Sequence, residues 1–213
     1  MDAARYGDLA LGSVHLPSQT GEQLATIDSS EQAAGACARC HGAENAGPAS
    51  TLVPVLHGQP AAFLAAALQQ YAEGSRRSGI MQPIAAALDA RDLQRLAEYY
   101  AGLAPPRREQ GATDGVSAER GRQLATAGDA ANGVPACDAC HSSSAIATYP
   151  RLAGQSAAYM AGQLALWRAG HNTTTGAGAI MAPIAQRLSA GDVDAVTAYF
   201  ASLPAQTGKA GSP

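Results

Sequence analysis

The sequence predicts an all-α chain of two tandem domains related by internal duplication. Three observations carry this. First, displaced by 100 residues the chain matches itself: Gly21-Glu-Gln23-Leu24-Ala25-Thr26 lies over Gly121-Arg-Gln123-Leu124-Ala125-Thr126, and Ile80-Met81-Gln-Pro83-Ile84-Ala85 over Ile180-Met181-Ala-Pro183-Ile184-Ala185. Leu88, Asp92, Tyr99 and Leu103 fall in the same way over Leu188, Asp192, Tyr199 and Leu203. Second, alanine, the best helix former, is abundant. Third, the alternating Val, Ile and Thr runs that mark strands are missing. Two repeats are too few for a solenoid, so each is read as a domain.

Taken in order, residues 1–16 have no counterpart in the second half and form an N-terminal extension. They lack the basic start and apolar core of a signal peptide. Domain one spans 17–105. Residues 106–116, polar with Pro and Gly, read as a linker. Domain two spans 117–205, and 206–213 reads as a disordered tail. Ser117 is the candidate cap of the first helix of domain two. Residues 60–73 and 156–169 each follow a Gly-Gln pair and place apolar side chains at helical spacing: Phe63, Leu64, Ala67, Leu68 and Tyr71 in one, Tyr159, Met160, Leu164 and Trp167 in the other. Residues 89–103 and 189–203 form a further helix per domain, with Asp89 and Ser189 as candidate caps. Gly74 and Gly170 suit helix C-termini. Between the cysteine motif and the methionine the offset becomes 96, so that Pro54-Val-Leu56-His57-Gly58-Gln59 matches Pro150-Arg-Leu152-Ala-Gly154-Gln155. Length changes of this kind belong in surface loops.

The four cysteines form two Cys-x-x-Cys pairs, Cys37/Cys40 and Cys137/Cys140, each followed at once by histidine, His41 or His141. A zinc site would need the pairs to converge, but they lie 100 residues apart, beyond zinc-ribbon spacing. A thioredoxin-like redox pair would need a βαβ setting. Attachment of c-type haem is the reading for which Cys-x-x-Cys-His is the signature, and it occurs twice in register. Two covalently bound haem c groups are therefore expected, with His41 and His141 reaching the irons. The haem also answers a packing problem: two Phe, seven Tyr and one Trp are a thin supply for two small cores. Without it, each domain is expected to be unfolded or nearly so.

For the sixth ligand, Met81 and Met181 are in register and each precedes x-Pro-Ile, so both are assigned to iron, with Pro83 and Pro183 stiffening the ligand loops. Met160 matches Leu64 and is read as core. His15, His57 and His171 have no in-register partners and are set aside; His57 is read as a partly exposed side chain.

Net charge is −3, the only lysine is Lys209, and no basic stripe appears, which excludes nucleic acid as a partner. No run approaches the ~20 apolar residues of a membrane span.

Cys-x-x-Cys-His-Gly (Cys37 to Gly42), Pro-x-Leu-x-Gly-Gln, a helix ending near Gly, Met-x-Pro-Ile and a helix ending Tyr-Tyr or Tyr-Phe, all twice, resemble the di-haem cytochromes c4 over residues 17–205. The resemblance implies two class I cytochrome c domains packed about a pseudo-twofold axis with the haems facing each other. It implies attachment through Cys37, Cys40, Cys137 and Cys140, proximal His41 and His141, distal Met81 and Met181, and support of the histidine side by Pro54 and Pro150. The second motif departs, with Ser142 where the family has glycine, and the family's lysine-rich surface is missing. The function implied is electron transport in the periplasm, between a quinol-oxidising complex or dehydrogenase and a terminal oxidase, with no catalytic residues. The alternatives are a cytochrome subunit of a larger dehydrogenase or oxidase complex, and a di-haem thiosulfate dehydrogenase or peroxidase. Haem attachment requires export, so we expect a chain from which a leader or inner-membrane anchor has been removed.

Overall fold

A computed structural model of the protein describes residues 37–106, 115–142 and 146–205. The expected N-terminal extension, the first part of domain one and the expected tail lie outside them. The described residues form nine α-helices and no strand: α1 (Cys37–His41), α2 (Ala61–Ala72), α3 (Met81–Ala86), α4 (Ala90–Gly102), α5 (Gly115–Thr126), α6 (Asp138–His141), α7 (Ala157–Arg168), α8 (Gly176–Arg187) and α9 (Ala190–Ser202). The chain is all-α, as its alanine content and its lack of strand alternation predict.

Local chemistry explains the ends. Asp89 caps α4 by accepting from the Asp92 N–H at 2.8 Å. At α9 the Ser189 hydroxyl accepts from the Asp192 N–H at 3.1 Å, and the Asp192 carboxylate accepts back from the Ser189 N–H at 3.0 Å. This reciprocal pair satisfies two otherwise orphaned donors. Gly74 and Gly170 follow α2 and α7 at φ +74° and +80°, the left-handed position that glycine fills without steric cost.

Two boundaries differ from expectation. Helix α5 begins at Gly115, two residues inside the expected linker, so Ser117 lies within it instead of capping it. No proline stands between Pro106 and Pro135 to stop the helix there. The methionines also sit on helices, not loops: Met81 opens α3, and Met181 is midway along α8. Pro83 is the third residue of α3, where a missing N–H has no intrahelical acceptor to lose. Pro183 lies inside α8 and forfeits a bond there.

The duplication is visible in what the last helices bury. Leu93, Leu96, Ala97 and Tyr100 of α4 are buried, and so are Val193, Val196, Thr197 and Phe200 of α9, at the same places 100 residues on. Both sets follow i, i+3, i+4, i+7, one face of a helix. α4 packs on α2, and α9 packs on α5 and α7. The α5–α9 approach is close because Gly121 has no side chain: a Cβ there would lie 2.2 Å from the Ala195 carbonyl oxygen.

Arg120 on α5 ties this crossing to the turn before α6. Its Nε donates to Asp192 at 2.7 Å and one terminal nitrogen to Asp129 at 2.8 Å. These bonds hold the Asp129 carboxyl at about 2 and Asp192 below the ordinary carboxylate range. In the unfolded chain Asp129 titrates near 3.8. Between those values the native state binds fewer protons than the unfolded one, so the stabilisation is complete above the window and is lost as pH falls through it. Arg120→Gln should therefore lower the denaturant midpoint at neutral pH and leave it nearly unchanged near pH 2. An equal loss at both pH values would mean that the pair contributes packing alone.

The two halves meet through contacts that exchange under the duplication. Gln155 bonds the backbone of Val55 through both amide atoms, donating to its oxygen at 3.0 Å and accepting from its N–H at 2.9 Å. Gln59 does the same to Arg151, at 2.8 and 2.9 Å. Because 55 matches 151 and 59 matches 155, each contact is accompanied by its own mirror image, the signature of a twofold relation. Arg76 adds a further link, donating to Tyr159 and Gln163 while stacking over Tyr71.

Candidate haem sites

Each Cys-x-x-Cys-His motif is itself a helical turn. On α1 the two cysteines are three residues apart and so share a face. Cys37 is half-buried against Leu64, Leu96 and Tyr100, while Cys40 is exposed. In the second motif Cys137 is half-buried beside Leu124 and Val134, and Cys140 is exposed. None of the four is joined in a disulfide. Burial pushes Cys37 and Cys137 up to about 11, so both stay protonated at neutral pH and neither is a ready thiolate. That disfavours thiol redox catalysis and leaves the sulfurs available for thioether attachment.

The histidines are held in one tautomer. His41 is buried, and its Nδ1–H donates to the Pro54 carbonyl at 3.1 Å. His141 donates from Nδ1 to the Pro150 carbonyl at 2.8 Å. Burial, the largest influence, lowers the pKa of both rings, so each is neutral and keeps an Nε2 lone pair. A neutral imidazole anchored through Nδ1 is the form a metal ligand requires. The unbridged cysteine pair, the anchored ring and the turn that carries them fit a covalent haem at both places.

In domain two Cys137 and Met181 pack against the same core cluster, together with Trp167 and Tyr159. In domain one Met81 begins α3, which packs on α2, the helix whose Leu64 belongs to the cluster that Cys37, Phe63 and Leu68 pack against. Met160 is buried in the core of domain two, as its match to Leu64 predicts. His171 is exposed in the turn after α7.

His57 differs from expectation. It is 3 % exposed, its Nε2 donates to the Ala43 carbonyl at 2.9 Å, and its ring meets Tyr100 edge-on. Sequence reasoning missed it because a lone histidine matched to Ala153 carries no periodic signal. It belongs to a set of three that differs between the repeats. Gly42 takes φ +75°, where a Cβ would strike the Ala46 oxygen at 2.0 Å, and its carbonyl accepts from the buried Tyr100 hydroxyl at 2.9 Å. Domain two has Ala153, Ser142 and Phe200 at these positions. Ser142 is extended at φ −75°, a conformation any residue adopts, so the chain leaves the second motif along another path and needs no glycine. Phe200 correspondingly has no hydroxyl to place.

Comparison with known proteins agrees with this geometry. The family model described as cytochrome C oxidase, cbb3-type, subunit III matches residues 29–99. A "Thiosulfate dehydrogenase electron acceptor" of Thiomonas intermedia (strain K12) is 34 % identical over 182 residues, covering 84 % of this chain and 83 % of the relative. A "Cytochrome c4" of Pseudomonas aeruginosa is 33 % identical over 199 residues, 92 % of this chain and 95 % of the relative. The solved structure of Acidithiobacillus ferrooxidans cytochrome c4 superposes with a TM-score of 0.70 at 31 % identity, over 78 % of this chain and 98 % of that one.

Proposed function

Because this chain belongs to the cytochrome c4 family and carries two covalent haems c, we propose that it shuttles electrons in the bacterial periplasm from a dehydrogenase or quinol-oxidising complex to a terminal oxidase. The observation that carries the reading is the pair of neutral, Nδ1-anchored histidines, one per repeat, each on a cysteine-bearing turn. When bound, each haem supplies a one-electron Fe(III)/Fe(II) couple. The residues do the rest. Cys37, Cys40, Cys137 and Cys140 would fix the haems, and His41 and His141 would ligate the irons. Met81 and Met181 would complete the ligand sets, which would raise the potential and leave no position for a substrate to displace. The domain boundaries that go with this reading are 17–105 and 117–205, with the helical start of α5 inside the connecting segment. Among the described residues no helix is long and apolar enough to cross a membrane.

One donor is favoured. The Thiomonas relative's description supports thiosulfate dehydrogenase as the dehydrogenase partner, with this chain as its acceptor. Thiosulfate together with such an enzyme should reduce both haems, followed by their visible bands, while thiosulfate alone should not. Turnover of thiosulfate by this chain unaided would replace the carrier reading with an enzymatic one.

Docking should depend only modestly on salt. Residues 17–105 carry five basic and eight acidic side chains, and residues 117–205 five of each. Ile80 and Ile180, each next to a methionine, are 70 % and 47 % exposed, so the surface there carries apolar side chains. Without a single-sign face, steering is weak, and the second-order rate should change by less than about tenfold from low to moderate ionic strength. A steep fall would contradict this.

A further inference from the structure

The interdomain glutamines do more than join the domains, because of where they bond. The Pro54 carbonyl that accepts from His41 and the Val55 N–H that donates to Gln155 belong to the same peptide group. So do the Pro150 carbonyl that accepts from His141 and the Arg151 N–H that donates to Gln59. Each proximal histidine thus heads a chain of two hydrogen bonds that runs through one peptide unit and ends on a side chain of the other domain: His41–Pro54/Val55–Gln155 and His141–Pro150/Arg151–Gln59. The distances are 3.1 and 2.9 Å in the first chain and 2.8 and 2.9 Å in the second.

An N–H that donates makes the carbonyl of its own amide a stronger acceptor, because the peptide π-system shifts charge toward oxygen; hydrogen bonds in such chains reinforce one another. A stronger acceptor draws the Nδ1 proton further and makes Nε2 a better electron donor. Both glutamines are 6 % exposed, so water is poorly placed to replace them. Their orientation is fixed from both sides, since each amide NH2 also donates to the carbonyl of the residue it grips. The turns that present them are fixed too: the Gly58 N–H donates to Tyr100 at 3.0 Å and the Gly154 N–H to Phe200 at 2.9 Å.

We propose that Gln59 and Gln155 are crossed positioning residues, each setting the donor strength of the proximal histidine in the opposite domain. Gln59 tunes the haem held by His141, and Gln155 tunes the haem held by His41. The two redox centres are thereby coupled through the interface by hydrogen bonds. The inference rests on the proximal role proposed for the two histidines.

The test is a redox titration of the holoprotein with Gln59→Leu and Gln155→Leu, each wave assigned by its response to Met81→His or Met181→His. Losing the acceptor weakens the Nδ1 bond, destabilises Fe(III) and raises the potential. In Gln59→Leu the domain-two wave should rise by about three- to tenfold in its one-electron equilibrium constant, ~30–60 mV at 59 mV per decade, while the domain-one wave holds. Gln155→Leu should do the reverse. The His141 Nδ1 proton should also exchange faster in Gln59→Leu, read by NMR, with His41 unchanged. Gln59→Met, close in length but lacking the acceptor, replaces the leucine variant if that fails to fold. A shift confined to the same domain, equal shifts of both waves, or no shift with an intact low-spin spectrum overturns the proposal. A wild-type spectrum without low-spin haem would instead overturn the ligation beneath it.

Discussion

Met81→Ala should remove about half of the near-infrared ferric–thioether absorption and send one of the two one-electron waves sharply down. The expectation follows from register: Met81 and Met181 stand at matching places in the duplication, each one residue before an x-Pro-Ile continuation. In the fold, Met181 packs on the same cluster as Cys137. A thioether stabilises Fe(II) over Fe(III), so its loss to water or hydroxide lowers the potential of its own haem. Met81→His and Met181→His keep six-coordination but supply a stronger donor to Fe(III). Each should lower one wave by on the order of two decades in the one-electron equilibrium, ~120 mV, and leave the other in place. We also expect the two haems to be inequivalent, with domain two the higher, and the same variants test this. Domain two has Trp167 packed on its core where domain one has Tyr71, and the Arg76 guanidinium of domain one is engaged with Tyr71, Tyr159 and Gln163. If the absorption band stays whole in Met81→Ala, Met81 is not a ligand. If the higher wave moves in Met81→His, the ordering is reversed.

The paired variant Cys37→Ala/Cys40→Ala should leave domain one largely unfolded while domain two keeps its haem and its helices. Among the described residues of domain one the buried cluster is Leu64, Leu96, Ala97 and Tyr100, with Cys37 and its neighbours packed around it. Taken alone, this cluster is small against the entropy of ordering the chain around it. A haem is a large apolar disc, and tethering it through two thioethers keeps it in place. Without it, the cluster and the side chains packed on it, Phe63 and Leu68 among them, stand alone. The helical circular dichroism should fall by roughly half, and limited proteolysis should cut first between residues 37 and 106. Full helicity in the paired variant would show that the polypeptide supplies its own core and that the haem is a passenger.

Much of this molecule is legible in its sequence, and for local reasons. Gly74 and Gly170 end helices because only glycine enters the left-handed region freely; Asp89 and Ser189 start them because a short polar side chain reaches an orphaned N–H. The Cys-x-x-Cys-His turns declare their cofactor by spacing alone, and the register of the repeat pairs every candidate ligand with a copy of itself. Other features depend on groups distant in sequence. Nothing local places Met81 and Met181 on helices, because the prolines that follow read as breakers until their position within each helix is known. His57 is buried because Ala43 and Tyr100 surround it, and neither can be inferred from a histidine with no periodic partner. The glutamine after each Gly58 or Gly154 is visible as a repeated letter, yet its partner is a peptide group 92 or 100 residues away in the opposite domain. Sequence alone determined the all-α class, the duplication and the cofactor chemistry, since each is written in side chains close in the chain or in its repeat. The tertiary structure alone decided which peptide each proximal histidine leans on and which domain holds that peptide, because hydrogen bonds across an interface are set by how two surfaces meet.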